Sequence, residues 1–79
     1  MKNMVSKFEK IAKFAEEARQ VRRSTANWDF IRSLPSKLRI AIEYYIETGN
    51  FREAARMADM SVDEFLYFSK DKANIYDMS

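Results

Sequence analysis

The apolar residues of this chain recur at helical spacing from end to end. Over Asn3 to Arg23, residues Met4, Phe8, Ile11, Ala15 and Ala18 follow one another in steps of four and three. That rhythm lays a stripe along one face of a helix. Val5, Ala12 and Val21 widen the stripe, while Lys7, Lys10, Lys13, Glu16, Glu17 and Arg19 lie mostly off it. Glu9 and Lys13 form a favourable i,i+4 pair. Such a helix packs on its own domain or along a dimer seam, and two heptads are too few to define a coiled coil. A second helix is expected from Pro35, whose missing N–H costs nothing in a first turn, to Thr48. Its positions Leu38, Ala41, Ile42, Tyr45 and Ile46 follow the i, i+3, i+4, i+7 pattern, and Gly49 stands where a left-handed terminator belongs. Ile40 and Tyr44 form a second stripe, which predicts contact on two sides, with Arg39, Glu43 and Glu47 facing water. Between these helices, Arg22–Asn27 (RRSTAN) reads as a hinge, and Asn27 can cap a short helix carrying Trp28, Phe30, Ile31 and Leu34.

Residues 50–70, NFREAARMADMSVDEFLYFSK, form two short helices joined by a tight turn. Asn50 with Glu53, and Ser61 with Glu64, both have the three-residue spacing of a capping box, so two helix starts lie eleven residues apart. Ala54, Ala55 and Ala58 carry almost no bulk, which lets the second helix approach the first closely. That is the geometry of a helix-turn-helix.

Composition removes whole classes of chemistry. The 79 residues make one domain with a modest core. With no cysteine, disulfides and thiolate metal sites are excluded, and the chain fits a reducing, cytoplasmic setting. With no histidine, the commonest general base and metal ligand are missing. No catalytic residue, metal site or cofactor is therefore expected, and the protein reads as a binder rather than an enzyme. No apolar run is long enough for a membrane span, so no membrane partner is expected. One glycine and one proline leave little turn chemistry for hairpins. The expected fold is all-α: a small helical domain of four to five helices containing a helix-turn-helix, with a long N-terminal amphipathic helix. Residues 1–24 are the amphipathic helix and possible dimerisation arm, 25–75 the helical domain, and 76–79 a C-terminal tail.

The net charge of +2 conceals an asymmetry. Residues 1–40 hold ten Lys or Arg against four Asp or Glu, and residues 41–79 hold four against eight. Unlike halves of this kind accompany an anionic partner or self-association.

The unit at 51–70 resembles the bacterial and archaeal helix-turn-helix family. Counted from Phe51, that family has Ala at the fifth position, here Ala55. It has apolar residues at the fourth, eighth, tenth, fifteenth and eighteenth, here Ala54, Ala58, Met60, Phe65 and Phe68. Its ninth position is usually Gly, with positive φ; here it is Asp59, so the resemblance implies a left-handed aspartate in the turn. The run ETGNFREAARMADMSVDEFLYF is also similar to small prokaryotic helix-turn-helix proteins of toxin–antitoxin modules, over about residues 34–75.

Two functions of different class follow. In the first, the protein is a DNA-binding transcriptional regulator. Ser61, Val62, Asp63, Leu66, Tyr67 and Lys70 would then face the major groove, with Arg52, Arg56, Lys70, Lys7, Lys10 and Lys13 meeting the phosphates of duplex DNA. Of the groove-facing set only Lys70 is a favoured base reader, and Asp63 and Glu64 would oppose a polyanion. In the second, the chain is a protein-interaction module that keeps the helix-turn-helix shape. Val62, Leu66 and Tyr67 would then form an exposed apolar patch for a protein such as a toxin. Either way a homodimer or higher oligomer is expected, burying Phe8, Ile11 and Ala15.

Overall fold

A computed structural model describes the backbone of residues 2–77 and the side chains of residues 7–77. Five α-helices follow one another: α1 (Lys2–Thr25), α2 (Trp28–Arg32), α3 (Ser36–Thr48), α4 (Phe51–Met57) and α5 (Val62–Tyr67). A π-helical turn, Phe68–Lys72, extends α5, and there is no strand among the described residues. The all-α fold of five helices is as the periodicity predicts. Met4 and Val5 of the N-terminal stripe lie outside the described side chains, as do Met78 and Ser79 of the expected tail.

Most local signals act where they were read, but the box expected at Asn50 and Glu53 is only half closed, because the Asn50 N–H donates to Thr48 Oγ1 and the Glu53 carboxylate pairs with Arg56. Asn27, Asn50 and Ser61 each accept a hydrogen bond from the backbone N–H three residues on, and Ser61 with Glu64 closes a full capping box. Gly49 ends α3 at φ +72°, with its N–H donating to the Tyr45 carbonyl at 2.7 Å. Pro35 sits one residue before α3 rather than inside its first turn, at φ −56° and ψ 150°. It therefore sets the approach to the helix, which its fixed φ allows equally well.

The turn between α4 and α5 is a Schellman motif. The Met60 N–H donates to the Ala55 carbonyl (2.9 Å) and the Asp59 N–H to the Arg56 carbonyl (3.1 Å), with Asp59 at φ +58°. The expected left-handed aspartate is thus present. Its carboxylate also pairs with Lys37 of α3, which holds it below the usual carboxylate range. Both partners are well exposed, so the pair contributes little. Asp59→Gly should therefore leave stability unchanged or raise it by up to ~1 kcal/mol, read as a shift in the urea midpoint. A loss beyond ~1 kcal/mol would mean that the Lys37 pair outweighs the relief of strain.

The core forms where α2, α4 and α5 close on α3. Ile31, Ala41, Ile42, Ile46, Ala54, Ala55 and Phe65 are all buried. The two alanines of α4 let α5 come close, and Phe65 meets the Tyr45 ring edge-on at 5.5 Å. Ile40, expected on a second contacted stripe, is half exposed, while Tyr44 packs partly against the core. The helix is therefore covered on one side more than the other.

The junction expected to be a hinge is a pinned corner. α1 continues to Thr25, and the segment after the π-turn straps across its end. The Asn27 N–H donates to the Ala73 carbonyl (2.8 Å), Asn74 Nδ2 to the Thr25 carbonyl (2.9 Å) and the Tyr76 N–H to Thr25 Oγ1 (2.9 Å). Asn74 makes this turn at φ +58°, and Ile75 inserts into the core. Polar residues that look flexible in a sequence satisfy the backbone groups of a chain crossing here.

Candidate interaction surfaces

Arg22 occupies the next position of the N-terminal stripe after Ala18, four residues on, and it is buried. Its Nε donates to the Ile46 carbonyl at 2.9 Å and its Nη1 to Asp77 Oδ1 at 3.0 Å. The guanidinium lies 6.0 Å from the Tyr45 ring centroid and directly over Gly49, where a Cβ would come within 3.1–3.2 Å of it. Arg19 Nε donates to the Glu47 carbonyl (3.0 Å), and Arg23 pairs with the Glu47 carboxylate through two bonds of 3.0 and 2.7 Å. That pairing pushes the Glu47 carboxyl down from its ordinary value. Two arginines of α1 thus cap the last carbonyls of α3, where the helix dipole favours cations, and a third holds the Glu47 side chain beside them. The basic run of the sequence is internal wiring. One sequence signal pointed to it, a charged residue falling on an apolar stripe.

The expected nucleic-acid face divides in the same way. Of the positions on α5, Val62 and Leu66 turn partly inward: Val62 packs against the core, and Leu66 borders a 210 Å³ cleft with Tyr45, Ser69 and Tyr76. They do not form the expected exposed patch with Tyr67, which alone of the three is exposed. The Ser61 hydroxyl is engaged by the Glu64 N–H. Asp63, Tyr67 and Lys70 remain on the outer side, with Asp71 one residue further along the π-turn. Lys70 Nζ lies 5.9 Å from the Tyr76 ring centroid. On α4, Arg56 is bound by Glu53 of its own helix, which lowers the carboxyl pKa and raises that of the guanidinium. Arg52 is exposed over the Phe51 ring, without an ion pair among the described residues.

The remaining residues singled out in the sequence lie on the α1 arm. Lys7, Lys10 and Lys13 are exposed there and have no ion-pair partner among the described residues, so the Glu9–Lys13 pair expected from the i,i+4 spacing is not formed. Phe8 and Ile11 are 67% and 66% exposed, Phe14 is 52% exposed, and Ala15 is open to solvent. α1 packs chiefly on α3, so these lysines stand apart from the α4–α5 unit rather than alongside it.

No group of three or more Asp, Glu, His or Cys able to hold a metal occurs among the described residues. No described helix is long and apolar enough to cross a membrane. No protein-family model matches the chain, and comparison with curated proteins and with solved structures finds no match.

Proposed function

We propose that this chain is a protein-interaction module built on a helix-turn-helix scaffold, and that it presents the outer face of α5 to a basic surface of another protein. The observation that carries the reading is the charge on that face. Asp63 and Asp71 have no ion-pair partner among the described residues, Tyr67 is 60% exposed, and Lys70 leans over Tyr76. A partner offering Lys or Arg would gain charge-assisted bonds to Asp63 and a cation–π contact with Tyr67. The resemblance of residues 34–75 to antitoxin-type proteins supports a toxin as the partner class. A cytoplasmic, non-enzymatic role belongs to the same reading, because the chain lacks both cysteine and histidine.

A second reading, the DNA-binding regulator, is favoured by one specific feature: the left-handed turn at Asp59 that the helix-turn-helix family prefers. Arg52, Lys70, Lys72 and the three arm lysines would then supply the phosphate contacts. Asp63→Asn separates the two. For a protein partner the substitution weakens binding by unpairing a cation, and Tyr67→Ala costs ~2 kcal/mol or more. For DNA it strengthens binding by removing a repelled charge, and each phosphate-contacting Lys or Arg changed to Ala lowers the salt slope by roughly one. Fluorescence anisotropy with mixed duplex DNA at ~50 mM salt decides first. The protein reading expects no binding there. Salt-dependent binding that Asp63→Asn strengthens would replace it with the regulator.

A further inference from the structure

We propose that α1 is held by a salt-sensitive clasp, and that it lifts off α3 together with Tyr76 and Asp77 while α2–α5 stay folded. Two kinds of attachment meet in this fold. Helices α2 to α5 and the strap residues Ala73 and Ile75 share one apolar core, in which Phe65 and Ile75 are buried. None of the described side chains of α1 joins that core, and Ala26, just beyond the helix, is the first residue packed against it. Among those side chains only Ala18 and Arg22 are buried. The ties of α1 to the domain are polar. Arg19 and Arg22 bond to carbonyls of α3, Arg22 pairs with Asp77, Arg23 pairs with Glu47, and Trp28 Nε1 donates to the Arg23 carbonyl. Water and salt ions compete for such bonds where they lie at the surface, as the exposed Arg23–Glu47 pair does. Local opening draws on elements with few buried apolar contacts. At 24 residues, α1 exceeds the ~12–15 below which an isolated helix is marginal, so it leaves as a helix rather than by unravelling.

The hydrogen bonds fix where the opening unit ends. Thr25 Oγ1 donates to the Val21 carbonyl (2.8 Å) within α1 and accepts the Tyr76 N–H (2.9 Å). The hydroxyl therefore travels with α1, and the Tyr76 amide loses its partner when the helix lifts. Asp77 is separated from Arg22 in the same step. One residue earlier the Ile75 N–H donates to the Ser69 carbonyl (2.9 Å), and the Asn27 N–H donates to the Ala73 carbonyl (2.8 Å). Both of those bonds join parts that stay on the core. The boundary thus runs between Thr25 and Asn27, and again between Ile75 and Tyr76. Opening also unmasks charge: Arg19, Arg22 and Arg23 come away from the α3 carbonyls, Glu47 and Asp77 that hold them when closed. Ionic strength shifts the balance because it weakens the closed state's charged bonds more than the open state, which lacks them. α5 stays on the core throughout, so the opening is independent of what that helix binds.

Amide hydrogen exchange of the full chain, followed residue by residue by NMR under native conditions, is the test. Corrected for intrinsic rates, the Val21, Arg22 and Arg23 amides should exchange at least about tenfold faster than those of Ile42, Ile46 and Phe65. Raising salt from about 20 mM to about 0.5 M should speed the α1 amides about fivefold. Glu47→Lys sets a cation beside the three arginines and should speed the α1 amides about tenfold. It should speed the Tyr76 amide by the same factor, although no bond joins Glu47 to Tyr76, because both amides are exposed by one opening. Asp29→Asn breaks the exposed pair with Arg32 inside α2 and should leave the α1 and Tyr76 amides at their wild-type rates. A gap below tenfold between α1 and the core would mean that the chain opens as one unit and would overturn the proposal. So would α1 rates indifferent to salt, a Tyr76 rate unmoved by Glu47→Lys, or an Asp29→Asn variant that speeds both amides as Glu47→Lys does.

Discussion

Phe65→Ala is expected to cost about 4 kcal/mol of unfolding free energy, the largest single loss in the chain. Phe65 has no exposed surface and is the largest fully buried side chain. Its ring meets Tyr45 at 83°, an edge-to-face arrangement that contributes beyond the area it buries. It is also the only residue of α5 that is completely buried, and a six-residue helix has no stability of its own apart from such packing. Truncation should therefore release α5 from α3 and α4, leaving a cavity that short elements cannot collapse around. A domain of this size is stable by only about 5–10 kcal/mol, so the variant should be partly unfolded near 37 °C. Phe65→Leu, which keeps most of the volume, should cost no more than ~1.5 kcal/mol. Urea unfolding monitored by circular dichroism reads both. A loss below ~2 kcal/mol for Phe65→Ala would mean that Val62 and Phe68 dock α5 by themselves.

Arg22→Ala should cost about 3 kcal/mol, for a different reason. The guanidinium is buried, and its removal takes away the hydrogen-bond donor to the Ile46 carbonyl and a charged partner of Asp77 together. Breaking one side of a buried charged pair costs about 3–5 kcal/mol. The lower end applies here because the Asp77 side chain keeps 27% of its surface in water. Arg22→Lys should recover only part of the loss, since an ammonium cannot donate along both directions of the planar fork while lying flat over Gly49. Arg22→Met separates packing from charge: it keeps an unbranched apolar stem at this buried position and gives up both hydrogen bonds. A loss under ~1 kcal/mol for Arg22→Ala would show that Arg19 and Arg23, through Glu47, hold the base of the arm without it.

The two large effects differ in how visible they were beforehand. Phe65 stands at an apolar position of the helix-turn-helix spacing, and its burial follows from the pattern. Arg22 reads in a sequence as half of a basic pair beside a flexible segment, and only its place on the apolar stripe marks it as structural. Leu66 and Val62 were no easier to place, since their apolar side chains looked available on α5 but serve the core and the C-terminal strap. Asn74 carried a fair signal, because asparagine tolerates a left-handed φ, but no neighbouring glycine or capping pattern drew attention to it.

What the sequence determined alone were features settled within a few residues. The three side-chain caps, the left-handed Gly49 and Asp59, the helical spacing and the alanine surface of α4 each depend on chemistry between near neighbours, at most one or two turns apart. Tertiary structure decided which stretch of a uniform stripe is covered, which cations are already engaged, and where the C-terminus goes. Those outcomes rest on contacts between distant positions: Arg22 meets Ile46 and Asp77, 24 and 55 residues away, and Tyr76 meets Thr25, 51 residues away. Periodicity places a residue on a face of its own helix but does not say which other element arrives there. That depends on how the helices close on one another, and the closure left the outer face of α5 acidic and the arm of α1 bare.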